Sequence, residues 1–400
     1  MHTQKISQGI VCLTADDRQI KKFENLWELD SGISYNCYLL KGQKNILIDT
    51  VEKGFTDKLL AILQSELKDQ LLDYLVINHM EPDHSGTILA LLKKYPNLKL
   101  IGNHKTTVFA KGFYDLSEKS FIQVADGELL ELAEYKLEFH QTPMVHWPES
   151  MVVLEKTQGI LFSSDIFGGY KTVENQVLAD TRGDLEDFID QARAYFATVI
   201  GGYTRPALAS LKMLKSLDIK CIAPAHGLVW QKSYQQIIDL YQQWTQFLPD
   251  NNNWRGTTVV IGSMYGHTWQ IGEVIKKELE KANIKVDLLD ASQSSQTQLL
   301  NSVWKNQGLI IGSCTYSNGL MPPVKSFLDA LEDRKIKNKT LGIFSSHSWT
   351  GGAMRFLEEF AKKSKLKLIE PIFETQYKMG DESKKNAILL AKKISKELLK

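Results

Sequence analysis

From about residue 257 to the C-terminus, the sequence switches five times between strand-like and helix-like periodicity. Few folds accept that pattern. Short apolar runs at 257–263, 284–289, 308–313, 340–345 and 366–369 read as buried strands. Between and after them, amphipathic stretches at 268–282, 297–305, 322–333, 352–364 and 382–399 read as helices. Strands alternating with helices must lie parallel, since each connection is long enough to cross over. The pattern predicts a doubly wound α/β sheet.

The alternation does not extend backward. At 249–254 a proline, an aspartate and three asparagines interrupt all periodicity and read as a linker. This divides the chain into expected domains at 1–250 and 255–400. The first half is richer in strands. Residues 33–50 read as two strands joined by Lys41-Gly42-Gln43, and further strands are expected at 71–78, 97–102, 122–125, 136–140, 151–155, 159–163 and 220–223. Helical periodicity lies near 56–68, 184–199 and 206–216, which suggests two sheets with helices outside.

Composition narrows the class. With 43% hydrophobic and 24% charged residues, the chain is neither disordered nor collagenous. No apolar run approaches the ~20 residues a membrane span needs, and Met1 to Asp17 lacks the basic-then-apolar order of a signal peptide. A net charge of +1 argues against nucleic acid as partner. The four cysteines, Cys12, Cys37, Cys221 and Cys314, form no Cys-x-x-Cys pair. Scattered thiols of this kind fit a reducing cytoplasm.

Residues 79–84 read His79-Met80-Glu81-Pro82-Asp83-His84, four ligand-type side chains directly after a strand. Burying so many polar groups is costly unless something pairs with them. His146, Asp165 and His226 each follow or border another strand-like run, giving four imidazoles and three carboxylates. Imidazole suits zinc, iron and similar metals, whereas added carboxylates shift the preference toward iron or manganese.

A second constellation lies in the alternating half. Ser263, Met264, Tyr265, Gly266, His267 and Thr268 join the first strand to its helix. Hydroxyls, a glycine and helix N-terminal amides suit a phosphate. The lysine of a nucleoside-triphosphate loop and the three glycines of a dinucleotide loop are both missing. Two more loops lie at strand carboxyl ends: Cys314, Thr315, Tyr316, Ser317, Asn318 and Gly319, then Ser346, His347, Ser348, Trp349 and Gly351. Tyr316 and Trp349 could flank an aromatic ring system.

Together these residues resemble the flavodiiron proteins, with a metallo-β-lactamase-like αββα sandwich followed by a flavodoxin-like doubly wound sheet. The resemblance covers nearly the whole chain. It implies FMN on the second domain and two non-haem irons on the first. His79, Glu81 and His146 would hold one iron, Asp83, His84 and His226 the other, with Asp165 bridging. Glu81 stands where the related zinc hydrolases carry histidine, which disfavours a zinc hydrolase with a fused flavin module. The complete ligand set disfavours a simple electron carrier. The flavin loops depart from common family choices at His267, Trp269, Cys314 and His347, where relatives often have Asn, a polar residue, Pro and Tyr. The implied activity is reduction of O2 to water, NO to N2O, or both, with electrons from a rubredoxin-like donor. The chain resembles the minimal two-domain class, which assembles head to tail as a homodimer or dimer of dimers.

Charge is distributed to match such an assembly. Residues 1–250 sum to −7 and residues 251–400 to +8. Unlike domains would therefore attract, those of two chains and those of one chain equally. The expected outcome is a dimer that weakens with salt; a dimer mass unchanged up to about 1 M salt, where the Debye length is ~3 Å, would remove the electrostatic contribution.

Overall fold

The computed structural model describes residues 1–251 and 254–400. Two of the residues read as a linker, Asn252 and Asn253, lie outside the described residues. The chain forms two units, Met1–Gln242 and Gln243–Lys400. The division falls a few residues ahead of the 249–254 stretch because residues after Gln242 pack on the second unit. The indole Nε1 of Trp304 donates to the Trp244 carbonyl at 3.1 Å, and Phe247 lies 4.9 Å from the Trp304 ring.

The first unit holds two large sheets, besides a two-stranded ribbon of Lys22–Phe23 and Trp27–Glu28. One runs in chain order through β1 (His2–Ser7), β2 (Ile10–Asp17), β3 (Ile33–Leu40), β4 (Ile46–Ile48), β5 (Tyr74–Val76), β6 (Lys99–Gly102) and β7 (Phe121–Gln123). Its first four strands are antiparallel and its last four parallel, β4 belonging to both sets. The other sheet comprises β8 (Leu129–Leu132), β9 (Tyr135–Gln141), β10 (Met151–Glu155), β11 (Ile160–Ser164) and β12 (Cys221–Pro224), with only its last pair parallel. β3 is buried along its whole length and links the sheets. The Asn36 backbone N–H donates to the Ala225 carbonyl at 2.7 Å, and the Tyr38 hydroxyl donates to the Pro224 carbonyl at 2.6 Å. Helices cover the sheets. In Thr56–Leu67, for example, Leu59, Leu63 and Leu67 recur at four-residue spacing and are the buried face.

Several elements depart from the sequence expectation. β1, β2 and β8 carry weak alternation and gain their pairing from neighbours, as the edge positions of β1 and β8 show. Helices His104–Tyr114 and Tyr234–Trp244 also form beyond the expected set. The first is capped by Asn103, whose side chain accepts from the Thr106 N–H. The helix expected over 184–199 is regular only through Leu185–Tyr195 and widens to a π turn over Phe196–Ile200.

The second unit is a parallel sheet in the order β14 (Lys285–Asp290), β13 (Gly256–Gly262), β15 (Gly308–Tyr316), β16 (Thr340–His347), β17 (Lys367–Leu368). A further strand, β18 (Phe373–Gln376), pairs parallel with the far end of β16. The strand expected at 366–369 is β17, and β18 lies outside the expected set. The chain order reverses direction between β13 and its neighbours, which opens a crevice at the strand carboxyl ends. One core layer combines Val259, Ile261, Ile310 and Phe344 of the strands with Ile271, Ile275 and Leu279 of helix His267–Lys281. Gly312 pairs with Phe344 in register, and a Cβ at Gly312 would lie 2.3 Å from the ring, so the glycine makes room for it.

All four cysteines are buried free thiols, and burial pushes those of Cys12 and Cys221 up to about 12. Among the described residues, no helix is long and apolar enough to cross a membrane. Phe344 is fully buried and stacks on Phe373 at 5.7 Å. Phe344→Ala is expected to destabilise the second unit by about 3–5 kcal/mol. Urea unfolding monitored by the protection of its backbone amides from exchange checks this, and a loss under about 1 kcal/mol would refute this account of the core.

Candidate functional site

Seven side chains converge at one end of the first unit. His79 and Glu81 follow β5, Asp83 and His84 lie in the short helix Pro82–Ser85, and His146 sits in the loop between β9 and β10. Asp165 directly follows β11, and His226 comes two residues after β12. The β5 end is fixed from behind. Asp49 accepts from the Asn78 N–H at 2.7 Å, and burial pushes its carboxyl up to about 6.

The geometry separates the seven into two groups that share Asp165. Its Oδ2 lies 3.4 Å from Nε2 of His79 and 3.4 Å from Nε2 of His146. Its Oδ1 lies 3.0 Å from Nε2 of His84 and 3.4 Å from Nε2 of His226. Glu81 Oε2 completes the first group, 3.2 Å from His79 and 2.9 Å from His146. Asp83 Oδ2 completes the second, 3.4 Å from His84 and 3.3 Å from His226. All seven sequence-derived candidates are thus brought together.

Electrostatics at this cluster are extreme. Burial penalises the Asp165 charge, but His84, His146 and His226 hold its carboxyl well below the usual range. Burial also opposes ionisation of Glu81, yet His146 and His79 draw its carboxyl down strongly. Burial disfavours the imidazolium forms, but Asp165 and Glu81 push His146 up to about 9, and Asp165 and Asp83 push His226 up to about 10. Both Asp83 carboxylate oxygens, Asp165 Oδ2 and His226 Nε2 are buried without a hydrogen-bond partner among the described residues. Lone pairs that crowd one space without bonding each other fit a pair of cations, each with two imidazoles and one terminal carboxylate, plus one shared carboxylate.

A supporting layer emerges only in three dimensions. Glu149 is fully buried, and its Oε1 accepts from His79 Nδ1 at 2.7 Å and from the Met80 N–H at 3.0 Å. The Ser34 carbonyl receives His226 Nδ1 at 2.9 Å. Each bond places the ring proton on Nδ1 and leaves the Nε2 lone pair facing inward. The Tyr195 hydroxyl donates to Asp165 Oδ1 at 2.9 Å. None of these carried a sequence signal; Glu149, three residues beyond His146, looks like any acidic loop residue. Beside the cluster opens a largely apolar cavity of about 650 Å3, lined by Val108, Phe109, Phe113, Met144, Trp147 and His146 among others.

In the second unit, a cavity of about 440 Å3 lies at the strand carboxyl ends. Ser263, Met264, Tyr265, His267, Thr268, Cys314, Thr315, Ser346, His347 and Ser348 line it, together with Tyr377 and Lys378. Gly266 takes φ +87° ahead of helix His267–Lys281, a conformation that favours glycine, and turns the helix N-terminus toward the loop. Thr268 and Ser346 hydroxyls meet at 2.8 Å, tying two of the loops together. Helix amides beside hydroxyls, with volume in the range of small-molecule sites, suit a flavin mononucleotide. Tyr316, Ser317, Asn318 and Gly319 form instead the tip of a small hairpin, and Trp349 stands 84% exposed. These four residues, Trp349, Gly266 and Gly351 do not line the cavity. Tyr377 and Lys378 escaped the sequence reading because they follow β18, the strand it missed.

Comparison with known proteins agrees with both halves. Residues 33–227 match the ODP family beta lactamase model, and residues 259–389 match the flavodoxin model. A mutant flavo di-iron protein from Thermotoga maritima is 30% identical, with 99% of this chain and 98% of that chain superposed at TM-score 0.89. The chain belongs to the flavodiiron protein family. Its fold also matches rubredoxin oxygen:oxidoreductase from Desulfovibrio gigas at TM-score 0.92, with 23% identity over 100% of this chain and 99% of that one. The anaerobic nitric oxide reductase flavorubredoxin of Salmonella paratyphi A is 29% identical over 81% of this chain and 67% of its own length. Like its family, this flavodiiron chain is an oxidoreductase with FMN and a pair of non-haem irons as cofactors.

The buried Glu149 gives a direct test of the supporting layer. Glu149→Gln is expected to weaken iron retention by about 10-fold or more, measured by competition with a chelator. Retention equal to the parent protein would remove Glu149 from any role in holding His79.

Proposed function

We propose that this chain reduces O2 to water, NO to N2O, or both, at a diiron centre held by His79, Glu81, His146, Asp83, His84 and His226 with Asp165 as the bridge. The observation that carries the reading is the division of Asp165, one oxygen toward each histidine pair. Two irons held by these residues would supply the electrons that O2, or a pair of NO, takes up.

The protein's own residues supply the conditions. Glu149 and the Ser34 carbonyl orient His79 and His226. Tyr195 holds Asp165 Oδ1 in place, while Oδ2 has no hydrogen-bond partner among the described residues. The apolar cavity beside His146 favours entry of small uncharged gases over ions. Reduction to water consumes four electrons and four protons per O2, and reduction to N2O consumes two of each per pair of NO. Electrons would enter through FMN in the Ser263–Thr268 and Ser346–Ser348 cavity. A rubredoxin-like protein is the proposed donor, a head-to-tail homodimer the proposed assembly, and the cytoplasm the proposed setting.

Asp165→Ala is expected to abolish reduction of both gases while the FMN absorbance stays at parent level. Anaerobic turnover with O2 and with NO, on protein of known iron and FMN content, checks this. Full activity in that variant would refute the bridging role, and two zinc ions with no iron per chain would refute the diiron reading.

A further inference from the structure

His347 closes one wall of the flavin cavity, where a neutral hydroxyl or amide would suffice for binding. Its surroundings are specific. Nε2 lies 3.7 Å from Glu374 Oε2, within ion-pair distance. Glu374 is itself fixed, since its Oε1 accepts from the Ser345 hydroxyl at 2.6 Å. The other ring nitrogen, Nδ1, is buried and has no hydrogen-bond partner among the described residues. The backbone holds the ring in place as well: β16 pairs with β18 from Phe344 through His347, and the Tyr377 N–H donates to the His347 carbonyl at 2.8 Å.

We propose that His347, held by Glu374, takes up a proton as the bound flavin is reduced, so that the flavin potential depends on pH. The argument is charge balance. Each electron that enters the flavin without a proton leaves negative charge at the cavity, and histidine is the side chain that changes charge between about pH 5 and 8. Glu374 Oε2 faces Nε2, and Nδ1 is the ring nitrogen with no hydrogen-bond partner among the described residues. In the coupled step one electron passes from the donor to the flavin and one proton passes from solvent to His347 Nδ1; no bond to the flavin forms or breaks. By linkage, reduction is easier at low pH and becomes harder as pH rises. Other titratable groups on the cavity are Tyr265, His267, Cys314, Tyr377 and Lys378. His267 begins the helix at the phosphate-binding loop, so it serves as the control.

The inference rests on FMN occupying this cavity. The experiment is a redox titration of the full-length holoprotein from about pH 5.5 to 8.5, with FMN absorbance as the readout and FMN content measured for every sample. The equilibrium constant for the second electron is expected to change by up to about tenfold per pH unit. His347→Gln and His347→Tyr are expected to flatten that dependence, leaving only what the flavin itself contributes. His267→Gln is expected to keep it, and Glu374→Gln to displace it toward lower pH. A His347→Gln protein with full FMN content and the parent pH profile would overturn the proposal, as would flattening by His267→Gln alone. Parent protein that fails to retain FMN would instead overturn the flavin reading beneath it.

Discussion

Three carboxylates and four imidazoles, nearly all removed from water, crowd one space at the end of the first unit. Burying so much ionisable surface is tolerable only if opposite charge sits among it. That constraint organises the whole unit. Asp165 must end its strand where both histidine pairs can reach it, and β5, β11 and β12 must finish at the same level. Asp165 on one side and His146 and His226 on the other each draw the partner toward its charged form.

The fold meets the constraint by spending irregular backbone at strand ends while keeping the sheets regular. Glu149 and the Ser34 carbonyl take the outer ring nitrogens of His79 and His226, and Asp49 takes the Asn78 N–H. In the second unit the same principle appears in milder form. The loops at the strand carboxyl ends bring hydroxyls and helix amides to one cavity, and His347, with Glu374 beside it, lies at its edge.

The metal cluster was legible in sequence because its residues are chemically expensive, and their positions after apolar runs gave the scaffold away. The parallel sheet was legible because alternation of periods leaves one topology. What escaped were features set by tertiary partners. Edge strand β1 lacks a pattern of its own, β18 is four residues long, and Glu149 resembles any acidic loop residue until His79 is seen beside it. Tyr316 and Trp349 were legible as aromatics at a strand end; both stand exposed, outside the residues that line the cavity. Whether a loop side chain turns inward depends on contacts that one sequence does not encode locally.

The spread of the cluster along the chain has a consequence for how the protein comes into being. His79 and Glu81 leave the ribosome long before Asp165, and His226 emerges last of the seven, two residues after the final strand of the second sheet. A metal ion offered early meets only half of its proposed cage. The complete cage exists once β12 has paired with β11, when nearly the whole first unit is assembled. Tight loading is then a late event in biosynthesis, and a loaded chain certifies that its first unit has finished folding.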